Sequence, residues 1–299
     1  MEQFINIVEV GARDGLQNEK EVVPTDVKLT LIATLIASGL TTIEATSFVS
    51  PKWVPQMADH EQIMQNLPLA PNVRFPALVP NMKGLENALR CGTKDIAVFA
   101  AASETFSQKN INRSIDESLN EFALVTKEAL KAGLRVRGYV SCVLGCPYEG
   151  KVSHSAVIKV ATALFEAGCY EISLGDTIGV GTPLSAKAML KAVSNAIPIH
   201  QLALHFHDTY GQALANILAC LELGVNTIDS SVAGLGGCPY AKGATGNVAT
   251  EEVVYMLNGL GLKTGVDLNT LIAAGEYICH YLKRQNRSKV AVATLAKKS

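Results

Sequence analysis

Residues 167–174 read AGCYEISL, and their neighbours turn this octet into a rule for the fold. Upstream, Val157, Ala161, Leu164 and Phe165 recur at helical spacing and stop at Gly168. Downstream, a β-rich run begins at once. Glycine suits the left-handed position that ends a helix. The same phrase recurs as SGLTTIEA from Ser38, CGTKDIAV from Cys91, AGLRVRGYV from Ala132 and LGVNTIDS from Leu223. Before Gly39 the helical face reads Leu29, Ile32, Ala33 and Ile36. Helix alternating with strand predicts a parallel sheet covered by helices.

Strands at residues 5–10, 75–79 and 202–207 join five centred on Ile43, Ile96, Val136, Ile172 and Ile228. Eight βα units in under 300 residues predict an α/β protein of the (β/α)8 TIM-barrel type, one catalytic domain over residues 1–299. Residues 267–286 are expected to add a C-terminal helix, and residues 296–299 to fray. A doubly wound open sheet is the alternative. No Gly-x-Gly-x-x-Gly follows the first strand, which weakens a dinucleotide-binding version of it.

Composition narrows the function classes. Of 299 residues 48% are hydrophobic and 18% charged, enough for a substantial core. Formal net charge is −1 with no run of Lys or Arg, which argues against a nucleic-acid surface. No apolar run has the length of a membrane span, so no membrane association is expected. Seven cysteines, an odd number, are unlike a disulfide framework and suit reduced thiols. Cys142 and Cys146 have no second pair to complete a zinc set. The chain runs from Met1 straight into a β-like segment without a basic leader, so cytoplasmic residence is expected.

In such a barrel the active site lies at the C-terminal strand ends. Those ends carry Arg13 and Asp14, then Glu44, Ser103-Glu104, Ser141-Cys142, Asp176-Thr177, and His205 with His207. After the last strand comes GLGGCPYAKGATGN, residues 234–247, with five glycines around Cys238. Charged groups on apolar strands need partners, and their collection at one end makes them partners for one another. Simpler roles compete. Arg13–Asp14 reads also as a surface turn, Glu44 as a structural partner of Arg13, and Asp176 and Asn247 as helix caps. Cys238 is a buried or a reactive thiol. Asp229 reads as structural, and His60, His154, His200 and His280 as surface residues.

In LHFHDTYGQALAN, from Leu204, strand spacing puts His205 and His207 on one face with Asp208 turned away. Leu214, Ile217, Leu218 and Leu221 then mark the next helix. Two imidazoles, Asp14 and an amide or carboxylate oxygen would hold an octahedral divalent cation such as Mg²⁺ or Mn²⁺, and would accept zinc.

VEVGARDGLQNEK from Val8, ATSFVSPKWVPQMAD from Ala45, VSCVLGCPYEGKVS from Val140, EISLGDTIGVGTP from Glu171, the His-x-His stretch and AGLGGCPYAKGATGN together resemble the 3-hydroxy-3-methylglutaryl-CoA lyase family. The Arg-Asp-Gly and His-x-His motifs alone mark only the wider superfamily of metal-dependent aldolases and Claisen condensing enzymes. The resemblance implies a metal-assisted retro-Claisen cleavage of the acyl-CoA to acetyl-CoA and acetoacetate. It implies Asp14, His205, His207 and Asn247 as cation ligands, and Arg13 as the group steadying the thioester oxygen. Glu44 would orient Arg13, His205 would also move a proton, and Cys238 and Asp176 would belong to the catalytic set. A small-molecule acyl-CoA is the implied partner, and a homodimer is left open. A condensing enzyme of the same superfamily is the rival, and it generally lacks the Cys238 loop. A metal-binding module without catalysis gives Arg13, Glu44 and Cys238 no purpose.

Overall fold

The computed structural model describes residues 4–237 and 246–297. Its eight strands are β1 (Asn6–Glu9), β2 (Thr46–Ser47), β3 (Ala77–Leu78), β4 (Asp95–Ala101), β5 (Arg135–Ser141), β6 (Ile172–Asp176), β7 (Leu202–Phe206) and β8 (Thr227–Ser230). They form one parallel sheet in the order β1-β8-β7-β6-β5-β4-β3-β2. The ends meet: Glu9 N donates to Thr42 O (3.0 Å) and Glu44 N to Glu9 O (2.8 Å). That contact, in register Glu9 to Ile43, curls the sheet into a (β/α)8 barrel as the alternation predicts.

Between the strands run α1 (Thr25–Ala37), α2 (His60–Gln65), α3 (Met82–Arg90), α4 (Glu104–Ile111), α5 (Ile115–Lys131), α6 (His154–Glu166), α7 (Pro183–Ser194) and α8 (Ala213–Leu221). After β8 come α9 (Thr250–Gly259), α10 (Leu268–Tyr281) and α11 (Lys289–Ala296). Their starts are written in the sequence. Ser103, Ser153, Asp267 and Ser288 each accept a backbone N–H at the third residue beyond, as N-caps do. Ser114 and Glu117 form a reciprocal capping box at the head of α5. The five repeat glycines are the stops: Gly39, Gly92, Gly133, Gly168 and Gly224 have φ between 71° and 110°. At Gly39 a side chain is doubly excluded, because a Cβ would lie 2.2 Å from the Gly265 carbonyl oxygen.

Three readings need correction. α1 buries Val27, Lys28, Leu31, Ile32 and Leu35, while Ala33 faces solvent. α8 buries Ala213, Asn216, Ile217 and Cys220, leaving Leu218 outside. In both helices the face is turned because a buried polar residue, Lys28 or Asn216, belongs to it. Lys28 binds the Asp59 carboxylate (2.8 Å) and the Gln56 carbonyl, and Gln56 in turn accepts Val23 N (2.8 Å) and donates to Glu21 O (3.0 Å). These bonds sew the ATSFVSPKWVPQMAD stretch onto α1 and its approach. His60 is likewise buried, with Nδ1 2.8 Å from Met57 O and its ring 4.9 Å from that of Phe48. The sequence reading also missed α11, which lies beyond the expected terminal helix.

Candidate metal centre and active site

Arg13 and Asp14 ride on one wide turn, Gly11–Gly15, immediately after β1. Gly15 N closes it onto Val10 O (3.0 Å), a π-type bond of the kind that often marks functional sites. A side chain at residue 15 would lie 2.7 Å from both Leu235 Cβ and Ser231 Oγ. The Arg-Asp-Gly order therefore lets the turn press against the segment after β8 while its two charges face the barrel mouth.

Arg13 is buried between carboxylates. Nη1 donates to Asp14 Oδ1 (2.8 Å), and Nη2 lies 2.7 Å from Glu44 Oε2. Burial opposes its charge, but Glu44 and Asp14 outweigh burial and hold its pKa above the ordinary value. Its guanidinium also stands 5.8 Å from the centre of the Tyr139 ring. Burial, then the charge of Glu44, pushes the Tyr139 phenol far up, so it stays neutral. Burial raises the Glu44 pKa despite Arg13.

Asp14 points its other oxygen at the histidines. Oδ2 lies 3.9 Å from His205 Nε2 and accepts Asn247 Nδ2 at 2.8 Å. Burial works against its charge, yet Arg13, His205 and His207 bring its pKa down to about 2. The rings of His205 and His207 are 5.5 Å apart, on the same face as strand spacing requires. Burial and the neighbouring His205 push His207 down to about 4, a neutral imidazole free to offer a lone pair. Possible ligand atoms of Asp14, His205 and His207 all lie within 4.8 Å of one another. Asn247 is buried and its backbone bridges that of His207.

The structure thus brings together Arg13, Asp14, Glu44, His205, His207 and Asn247. Asp176 is placed differently. Its carboxylate accepts Gly181 N (2.8 Å) and Val180 N (3.2 Å), clasping the turn that follows β6. Burial raises its pKa to about 6. Asp208 turns away as expected and accepts Ala213 N (2.9 Å) at the head of α8. Cys238 lies outside the described residues.

Sequence reading left Asp229 as structural and missed Arg137 and Ser173 beside it under the histidines. On β5, Arg137 reaches Asp229 of β8 through two bonds, Nη1 to Oδ2 (2.9 Å) and Nη2 to Oδ1 (2.7 Å). Its Nε donates to Glu171 (2.7 Å). Ser173 Oγ donates to Asp229 Oδ2 (2.7 Å), and His205 Nδ1 lies 3.2 Å from the same oxygen. The available signal was Arg137 inside the apolar run RVRGYV, since an arginine facing a barrel interior demands a carboxylate.

Fold and cluster define a (β/α)8-barrel protein with a candidate divalent-metal centre at the C-terminal mouth, beside a clamped arginine. The chain belongs to the HMGL-like family, whose model matches residues 4–278. It is 61% identical to the mitochondrial hydroxymethylglutaryl-CoA lyase of Mus musculus over 97% of this chain and 89% of that one. To the cytoplasmic 3-hydroxy-3-methylglutaryl-CoA lyase of Rattus norvegicus it is 58% identical, covering 98% and 85%. Among solved structures it matches the hydroxymethylglutaryl-CoA lyase of Pseudomonas aeruginosa with a TM-score of 0.97 at 56% identity, over 99% of both chains. A similar HMG-CoA lyase from Acenitobacter baumannii, in complex with coenzyme A and 3-methylmalate, has a TM-score of 0.93 at 35% identity, over 97% and 95%.

Proposed function

We propose that the chain is a carbon–carbon lyase that cleaves 3-hydroxy-3-methylglutaryl-CoA to acetyl-CoA and acetoacetate, with Mg²⁺ or Mn²⁺ as its cofactor. One observation carries the reading: a cluster with possible ligand atoms within 4.8 Å of one another adjoins an arginine held by two carboxylates. The relative complexed with coenzyme A supports an acyl-CoA substrate.

The donor set fits the cation. One carboxylate and two imidazoles, with no thiolate, suit a divalent ion that takes mixed oxygen and nitrogen donors. Asp14, His205 and His207 would hold it, with Asn247 as the fourth ligand. Its amide already meets Asp14 Oδ2 at 2.8 Å, and a half-turn of the amide exchanges nitrogen for oxygen there. A bound cation would supply Lewis acidity, polarising substrate oxygens and lowering the pKa of the C3 hydroxyl.

The chain's own groups do the rest. Cleaving the C2–C3 bond requires removal of the hydroxyl proton and stabilisation of the departing carbon as an enolate. Arg13 donates an Nη1 N–H to Asp14 and sets Nη2 2.7 Å from Glu44 Oε2, and its remaining N–H groups are the donors for the thioester oxygen. Charge grows on that oxygen only in the transition state, so a fixed guanidinium there accelerates the step. Glu44 keeps the fork from turning away. His205 takes the hydroxyl proton when its Nε2 is not on the cation, and Cys238 completes the set as donor to the enolate carbon. Asp176 supports the neighbouring turn.

The whole chain is read as one catalytic domain, on the strength of one core cluster reaching from Ile5 to Ile278. Cytoplasmic residence belongs to the same proposal. Its support is that the six cysteines among the described residues are free thiols, as a reducing compartment keeps them, and that one relative is named cytoplasmic. Among the described residues no helix is long and apolar enough to cross a membrane. The test is incubation with 3-hydroxy-3-methylglutaryl-CoA and Mg²⁺. Acetoacetate and acetyl-CoA should appear in equal amounts; an untouched acyl-CoA would refute the reading.

A further inference from the structure

We propose that Asp229 is a positioning residue for His205. Held by Arg137 and Ser173, it accepts the Nδ1–H of His205, fixing the tautomer whose Nε2 lone pair faces Asp14 and the cation. The inference rests on the metal-site reading above, and assigns a function to a buried cluster which that reading does not use.

The placement comes from strand register. In the parallel pairing of β7 with β8, His205 stands opposite Asp229. Both side chains turn into the barrel, where β5 delivers Arg137 and β6 delivers Ser173 to the same carboxylate. Asp229 Oδ2 receives Ser173 Oγ at 2.7 Å, Arg137 Nη1 at 2.9 Å and faces His205 Nδ1 at 3.2 Å. Oδ1 receives Arg137 Nη2 at 2.7 Å. The Asp229 side chain has no exposed surface and that of Arg137 only 1%. A carboxylate at such depth keeps its charge only with a partner of this quality.

With both oxygens fixed, the imidazole has one way to bind. Nδ1 carries the proton it donates to Oδ2, and in the neutral ring this leaves Nε2, 3.9 Å from Asp14 Oδ2, as the lone-pair nitrogen. The Tyr139 ring stands edge-on to His205, with centres 5.8 Å apart and planes at 79°. Arg137 lies 5.0 Å from the centre of that same tyrosine ring. A flip of the ring would withdraw Nδ1 from Asp229 and set a ring carbon against that carboxylate. Carboxylates behind metal-binding imidazoles work in this way, and their loss costs about 10–100-fold in metal affinity or activity.

Two measurements test the assignment without relying on turnover. In protein labelled with ¹⁵N-histidine, imidazole nitrogen shifts, assigned with His205→Gln, report which His205 nitrogen bears the proton. Nδ1–H is expected, and Nε2–H would overturn the proposal even if Asp229→Asn fails to fold. The second is Mn²⁺ titration followed by electron paramagnetic resonance. Asp229→Asn keeps the size but puts an amide where the acceptor stood, which favours the wrong tautomer. It should weaken Mn²⁺ binding about 10–100-fold and lower kcat while KM for the acyl-CoA stays put. Ser173→Ala should move both in the same direction by less. A folded Asp229→Asn protein with wild-type Mn²⁺ affinity and an unchanged tautomer would contradict the proposal. If Mn²⁺ binding and the tautomer behave as stated while the acyl-CoA is not cleaved, the lyase reading fails and this one stands.

Discussion

Arg13 shows how neighbours fix the direction of one buried side chain. Asp14 and Glu44 hold its two terminal nitrogens at 2.8 and 2.7 Å, so the fork is oriented before substrate arrives. Preorganisation of this kind acts on kcat. Arg13→Gln should lower kcat by about 10²–10³-fold, the usual cost of losing one such donor, with little change in KM. Arg13→Lys should recover little, because a point charge cannot be held by two carboxylates as the fork is. Steady-state kinetics decide it: a normal kcat with a raised KM would recast Arg13 as a binding residue. Arg13, Asp14 and the His-x-His pair were legible because polar residues stand out on apolar strand ends. The Arg137–Asp229 pair was not. Its members are 92 residues apart, and only strand register brings them together.

At the scale of elements, the seam of the barrel depends on two buried glutamates. Glu9, at the end of β1, accepts Gly11 N (2.7 Å), Val232 N (2.9 Å) and Thr250 Oγ1 (2.6 Å). It ties the first strand to the last and to the start of α9. Glu251, on α9, accepts Ala233 N at 2.9 and 3.0 Å, holding a residue whose φ of 56° is costly for a side chain. Burial, against those bonds, raises Glu9 to about 7 and Glu251 to about 8 from an ordinary 4.5. Each therefore binds its proton more tightly folded than unfolded. Their contribution is full below 4.5 and is lost as pH rises through 7 and 8. Asp14, lowered from 3.8 to about 2, and His207, lowered from 6.5 to about 4, act in the opposite sense, Asp14 below that window and His207 only in its lower part. The melting temperature should fall between about pH 5 and pH 8.5, and Glu251→Gln should flatten that fall. Parallel wild-type and variant slopes would show that Glu251 does not titrate there. Both glutamates escaped sequence reading, since Glu9 and Glu251 look like a strand end and an ordinary first-turn acid. The helices' stops were legible because a left-handed residue selects glycine, whereas the faces of α1 and α8 were not, since burial of Lys28 and Asn216 depends on distant partners.

Across the whole molecule, β1, β7 and the segments beside β2 and after β8 bring their polar residues to one mouth, and that shared direction converts scattered motifs into a centre. The alternation of helix and strand was enough to find the barrel, and the barrel told which strand ends to read. It could not reveal the layer beneath, where β5, β6, β7 and β8 meet through Arg137, Ser173, His205 and Asp229. On the proposed reading, Asp14, His205 and His207 hold a divalent cation without which the acyl-CoA is not cleaved. The direct measurement is acetoacetate formation from 3-hydroxy-3-methylglutaryl-CoA by protein stripped with EDTA, checked by elemental analysis, then reloaded. Stripped protein should be inactive, Mg²⁺ or Mn²⁺ should restore turnover, and His207→Ala should stay folded yet need far more cation. Full activity in protein shown to be metal-free would contradict the account.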